Sequence, residues 1–316
     1  MILIISMLGV GRAESQPNAY VTNEGSGSVS IINTQIDKVT STLKVGDKPR
    51  GIATSRDGAR LYVSDQTGTL IERDLFEDKS GRITIGKSPK AIYVSPDGKV
   101  LSAAIGENDM VAVIDLAALR VLKTLRMSAK NPEHAVFSPD GQWIYANAAD
   151  GDSVDVIDVA KGAVVKSIKV GHGPRGIAFL ADGSRAYVAA EHTDEIVAID
   201  VSRHDVSARV KAARQPNGVA VHPDGKRVFV SAIGAGTVQV LDTNTNTIIA
   251  ETQVGSGPSN MALTPDGDKL YVTCGGSNEV SVIDTATYKR IASIPVGTMP
   301  WGVVISEPPN APRDGG

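Results

Sequence analysis

One unit recurs along nearly the whole chain, and the stretch from Gly255 to Gly297, GSGPSNMALTPDGDKLYVTCGGSNEVSVIDTATYKRIASIPVG, is its best-formed copy. An Asp-Gly pair marks each copy at Asp57, Asp97, Asp140, Asp182, Asp224 and Asp266, with spacings of 40, 43, 42, 42 and 42 residues. Eight residues before each aspartate stands a proline: Pro49, Pro89, Pro132, Pro174, Pro216 and Pro258; Pro300 is a seventh, with no Asp-Gly after it. A residue opening a strand follows at Tyr20, Tyr62, Leu101, Tyr145, Tyr187, Phe229 and Tyr271, and a further strand ends at Asn33, Asp74, Asp115, Asp158, Asp200, Asp242 and Asp284. Self-similarity at such a period means that each copy is one supersecondary unit, which buries its apolar face only against its neighbours.

Local chemistry identifies the unit. Ser-Pro-Asp-Gly and its variants supply a fixed φ, a short side-chain acceptor and a residue tolerant of positive φ, as a tight turn requires. The flanking segments, such as Gly-Val-Ala-Val-His and Tyr-Val-Thr-Cys, are short, rich in β-branched and aromatic residues, and bounded by Gly, Asn and Asp. Helical periodicity is absent from the body of the chain. Four short strands per copy at this period predict an all-β, seven-bladed β-propeller with four antiparallel strands per blade, lacking the Gly-His and Trp-Asp marks of the WD type. The first copy begins at Tyr20 without an initial strand, and the last ends after one, Trp301 to Ser306. The ring is therefore expected to close by N- and C-terminal strands sharing one blade, which removes two open edges.

The propeller is expected over residues 18–306, with residues 307–316 a flexible tail. Residues 1–13 end in small residues at Gly11 and Ala13 after the apolar run MILIISMLGV, the pattern of a signal peptide, though without a basic start. The run is too short to span a bilayer, and no later stretch is long and apolar enough to do so. A periplasmic or secreted location follows as an expectation. With 32 basic and 35 acidic residues the net charge of -3 gives no global pull toward nucleic acid or anionic membrane, so charge arguments must be local. A single cysteine, Cys274, excludes an intrachain disulfide framework and a multi-cysteine zinc site.

The segments Tyr20-Val21-Thr22-Asn23, Tyr62-Val63-Ser64-Asp65 and Tyr271-Val272-Thr273-Cys274, with the Ser-Pro-Asp-Gly turns and Val-Ser-Val-Ile-Asp strands, resemble the YVTN-family β-propeller repeat. The closing Tyr-Lys-Arg-Ile-Ala-Ser-Ile-Pro-Val-Gly and Pro300-Trp301-Gly302-Val303-Val304 are most similar to a bacterial subgroup of exported seven-bladed proteins. That resemblance implies a link to PQQ-dependent alcohol catabolism, with no direct enzymatic role attached. Other relatives imply nucleic-acid binding, surface-layer roles or lactone hydrolysis.

Strand order places the Gly-x-x-Pro loops and the loops after Tyr-Val-Thr-Asn on one face and the Asp-Gly turns on the other. The residues just after the prolines then ring the mouth of the central channel: Arg50, Lys90, Glu133, Arg175, Asn217, Ser259 and Trp301. Three cations at a constricted mouth point to a small anionic ligand, held by arginine forks beside a flat Trp301 wall, or to a protein partner. The bland alternative is that the cations are solvated or paired with Glu133 and the acidic loops, and that Trp301 packs beneath the seam. Acidic residues in the second set of loops, among them Glu24, Asp65, Asp109, Asp152, Glu191 and Glu279, counterbalance the inner cations and weigh against a long nucleic acid.

No cofactor is expected beyond a divalent metal. The acidic loops lack EF-hand spacing, and His134, His172 and His192, all on the mouth face, match no zinc spacing. Nucleophile-elbow, zincin, phosphate-loop and haem-attachment motifs are absent, although a propeller draws catalytic groups from separate blades. The favoured reading is an exported binding or scaffold propeller. One alternative is a hydrolase or lactonase using Glu133 and His134, against which the regucalcin-like lactonases set more carboxylate and amide metal ligands than this mouth offers. The other is single-stranded nucleic-acid binding over Arg50, Lys90, Arg175 and Trp301.

Overall fold

The computed structural model describes residues 17–306, where seven four-stranded antiparallel sheets form a ring. The expected leader and tail lie outside the described residues. Blade 1 is the shared one: the last strand, Pro300–Ser306, lies innermost and pairs with Asn18–Asn23, followed outward by Ser28–Asn33 and Lys38–Lys44. Its register sets Ser306 opposite Asn18, Val304 opposite Tyr20 and Val303 opposite Val21. Blades 2 to 7 follow in chain order, each beginning at its proline on the innermost strand.

The alternation of side chains along each strand builds the core between blades. Tyr62, Tyr145, Tyr187, Tyr271 and Phe229 are fully buried, each packed among Val, Ile and Ala of the adjacent sheet. The seam is tied at the opposite face from the mouth. Asp37, at the turn into the outer strand of blade 1, takes hydrogen bonds from the Tyr271 hydroxyl and from Lys269 Nζ (2.8 Å) of blade 7.

Each outer strand is an exposed edge, and in six blades it carries a β-bulge. The bulged residues include Leu122, Val165, Ile249 and Ile291, which accounts for four of the exposed large apolar side chains. Bulges with flanking charge, as in Arg120–Arg126, keep such edges from templating another strand. Blade 2 departs from this: its outer strand Ser80–Thr84 is shorter and regularly paired, consistent with the 40-residue spacing there.

Candidate functional site: the channel mouth

A bulge places every mouth residue. On each innermost strand two residues after the proline stand opposite one residue of the second strand, as Glu133 and His134 stand between the pairs Pro132–Ala148 and Ala135–Ala146. The same shift occurs in the other six blades. Bulges turn side chains off the ladder, and here they direct the first of the two residues to the mouth.

The second bulge position is glycine in four blades. A Cβ on Gly51, Gly176, Gly218 or Gly302 would lie 2.1–2.6 Å from a carbonyl oxygen of the next blade, so glycine permits the innermost strands to approach. Blades 3, 4 and 7 instead carry Ala91, His134 and Asn260.

Opposite the bulges, the third residue of the Tyr-Val-Thr-Asn segment joins neighbouring blades. Thr22 Oγ1 accepts from Gly302 N (2.8 Å) and donates to the Arg50 carbonyl (2.6 Å). Ser64 bridges Gly51 N and the Lys90 carbonyl in the same way, and Ser231 bridges Gly218 N and the Ser259 carbonyl. Asn147 accepts from Glu133 N and His134 N and donates to the Arg175 carbonyl, while Thr273 accepts from Asn260 N and donates to the Trp301 carbonyl. Five joints thus hold the backbone of the mouth residues rigidly. Ala104 and Ala189 occupy the equivalent places in blades 3 and 5.

Charged groups at the mouth are paired. Glu133, buried, is shared by Arg175 Nη1 at 3.2 Å and Lys90 Nζ at 3.4 Å, and Arg175 Nε also donates to Glu191. Arg50 Nε lies 3.7 Å from Glu24, and its guanidinium carbon lies 4.9 Å from the Trp301 ring centre. The acidic loops therefore do offset the inner cations at Glu24 and Glu191. Other loop carboxylates serve the backbone: Asp65 accepts from Asp47 N and Lys48 N, Asp109 from Asn131 N and Asp194 from Gln215 N. Burial alone would raise the Asp65 pKa, but hydrogen bonds from Thr67, Lys48 and Asp47 together hold it below the usual range.

A recess of about 370 Å³ lies within the ring, bounded on one side by Glu24, Arg50, Glu133 and Arg175 and on the other by Asn217 and Ser259. The charges come from blades 1, 2, 4 and 5, whereas blades 6 and 7 contribute neutral side chains and the glycines Gly257 and Gly275. Trp301 and His134 form its floor and also line a second cavity deeper in the channel. Their rings stack across the channel from blades 1 and 4, with centroids 6.1 Å apart and planes 27° apart.

His134 Nδ1 lies 2.6 Å from Tyr93 Oη. Burial drives the His134 pKa down to about 4, with Glu133 opposing and Arg175 and Arg50 reinforcing the shift. Burial likewise pushes the Tyr93 phenol well above its usual range. His134 is thus a neutral imidazole near pH 7, and a Tyr93 hydroxyl donating to Nδ1 leaves the proton on Nε2.

The three mouth-face histidines are not brought together. His172 lies on the rim with Nδ1 2.7 Å from Asp152, and His192 is exposed beside it, donating its backbone N–H to the His172 carbonyl. Among the described residues no group of three or more His, Cys, Asp or Glu is placed to hold a metal ion. Cys274 is buried in its strand, where burial raises its thiol pKa.

Solved structures share this architecture. A chain of the Kuenenia stuttgartiensis hydrazine synthase structure is 24% identical, with a TM-score of 0.78 over 90% of this chain and 99% of that one. A functionally unknown protein from Desulfotomaculum acetoxidans DSM 771 is 18% identical, with a TM-score of 0.81 over 92% and 99%. A putative 6-phosphogluconolactonase from Bacteroides fragilis NCTC 9343 is 19% identical, with a TM-score of 0.77 over 92% and 98%. At these identities the likeness is one of fold. No curated protein matches the chain. The YNCE-like beta-propeller family matches residues 64–248, more than half of the chain, and the protein belongs to that family.

Proposed function

We propose that the protein is an exported binding propeller that takes a small molecule bearing a carboxylate or phosphate at its channel mouth. Arg50 carries this reading: its Nε is buried with no hydrogen-bond partner among the described residues, while Glu24 stands off at 3.7 Å. An oxygen of an anionic ligand would supply the missing acceptor, with Trp301 packing against the other side of the guanidinium. Three carboxylates line the recess beside two arginines, with Lys90 pairing Glu133 from outside it, so the fit is to an anionic group on a molecule that also offers donors to Glu133, Glu191 or Asn217, rather than to a bare anion. The resemblance to exported relatives supports a periplasmic setting and a role accessory to quinone-dependent catabolism, where a protein partner over the same mouth is an alternative occupant.

Calorimetric titration of the full chain with a panel of hydroxy and amino carboxylates and sugar phosphates tests the reading. Arg50→Gln combined with Arg175→Gln should lower the affinity of any binder at least about tenfold, as loss of a charge-assisted hydrogen bond does. Unchanged affinity in the folded double variant would remove the anion site.

A second reading, lactone or ester hydrolysis, is favoured by one arrangement: neutral His134 next to Glu133 at the mouth, on a fold shared with a putative 6-phosphogluconolactonase. Turnover of a lactone panel that disappears in Glu133→Gln would establish it in place of simple binding.

A further inference from the structure

The deeper cavity differs in chemistry from the recess above it. It measures about 380 Å³, within the size range of small-molecule sites, roughly 300–1,000 Å³. Its wall is apolar, with Ile92, Val136, Ile177, Phe179, Val219 and Met261 among its residues, and it runs toward the Asp-Gly face past Phe137 and Pro139. Among the described residues no charged side chain lines it.

Its few polar side chains, Tyr93, His134, Asn260 and Trp301, belong to one end, beneath the mouth. His134 and Asn260 stand where four other blades carry glycine, so each brings a polar side chain to a place the frame otherwise leaves bare. His134 Nδ1 is engaged by Tyr93, which leaves Nε2–H as a donor. Asn260 Nδ2 donates to the Trp301 carbonyl at 3.1 Å, which leaves its Oδ1 as an acceptor. An apolar body with a donor and an acceptor at one end is a matched site; a charged ligand would lose its hydration there without a counter-charge.

We propose that this inner chamber is a second binding site, separate from the mouth, for a small uncharged molecule with an aromatic or branched alkyl body and a single hydroxyl head, which accepts from one group and donates to the other. The head lies at His134 Nε2 and Asn260 Oδ1, and the body fills the apolar chamber. Entry is from the Asp-Gly face, because Trp301 stacked on His134 separates the chamber from the mouth.

The probes are 4-methylphenol, toluene and 4-methylbenzoate, titrated into the isotope-labelled full chain while the Trp301 indole N–H and histidine resonances are followed by NMR. Saturable binding of 4-methylphenol is expected, roughly tenfold tighter than toluene for one good hydrogen bond, with 4-methylbenzoate weakest. His134→Phe should erase the preference for the phenol over toluene, and Val219→Trp should fill the chamber and abolish binding of both. Ala178→Phe is a smaller filling change should Val219→Trp fail to fold. Arg50→Gln with Arg175→Gln should leave phenol binding unchanged, which separates this site from the mouth. The proposal is overturned by absence of saturable 4-methylphenol binding, by equal affinity for toluene or the benzoate, or by phenol binding that persists in a folded chamber-filling variant.

Discussion

The Thr273 hydroxyl donates to the Trp301 carbonyl over 2.8 Å, tying the last complete blade to the strand that closes the ring. The same oxygen accepts from Asn260 N, so it satisfies backbone groups in two blades at once. Replacement by valine keeps the shape, leaves Asn260 N unpaired in a buried place and leaves the Trp301 carbonyl only the Asn260 side-chain amide. Thr273→Val should therefore lower unfolding free energy by about 1–3 kcal/mol, read by urea denaturation. A loss no larger than that of an exposed Thr245→Val would show that the joint contributes nothing.

Gly218 is a steric requirement. A Cβ there would sit 2.1 Å from the Ser259 carbonyl oxygen, and backbone on the next blade cannot swing aside as a flexible side chain does. Gly218→Ala should cost about 1–3 kcal/mol, the range for overpacking. A thermal melt matching the parent would mean that the blades separate freely at that joint.

Ring closure rests on two ties, the Trp301–Ser306 pairing on the inside and Asp37 with Tyr271 and Lys269 on the opposite face. Asp37→Ala should lower stability by about 1–3 kcal/mol, since it removes the charged acceptor of the Tyr271 hydroxyl and Lys269 and leaves them only the Thr34 carbonyl. Deleting residues 301–306 should do more and abolish a single cooperative calorimetric transition, because both edges of the ring then open. A truncated protein that melts as the parent does would refute closure.

His134 predicts a pH dependence of stability. Its folded pKa of about 4 lies below the ordinary 6.5, so the unfolded chain binds the proton first on acidification. Stability from the neutral imidazole is complete above about pH 6.5 and is lost progressively as the pH falls toward 4, by up to ~3 kcal/mol. Turn aspartates such as Asp97 and Asp266, held low by the Ser95 and Thr264 hydroxyls, lose their contributions only below their unfolded value of 3.8, so the two windows separate. Chemical denaturation between pH 7 and 4.5 should show the slope in the parent and a smaller one in His134→Phe, where His204, its pKa also lowered by burial, still contributes.

The repeat made the ring, the four strands per blade and the shared closing blade legible, because spacing and turn chemistry recur wherever a blade must be built. Mouth positions were legible for the same reason: Arg50, Glu133, Arg175, Asn217 and Trp301 line one recess, which Lys90 meets only through its ion pair with Glu133. Their electrostatics were less so. That Glu133 takes both Lys90 and Arg175 depends on how far each bulge turns its side chain, a matter of ångströms that sequence does not encode locally. The interblade role of Thr22, Ser64, Asn147, Ser231 and Thr273 was overlooked although they fill the third place of the repeated tetrapeptide. A polar residue recurring inside an otherwise apolar strand was the available signal. Asn260 is neutral beside the charged positions, and only its substitution for glycine at a crowded joint marks it out. His134, His172 and His192 share a face, as strand order implied, but depth in the channel separates His134 from the two on the rim.

Asn18 and Ser306 stand side by side at the foot of blade 1. The innermost strand descends from Pro300 at the mouth to Ser306 at the far side, so both ends of the ring leave from the Asp-Gly face. The two described ends of the ring and its recess thus lie on opposite faces, so the mouth stands clear of the seam's foot.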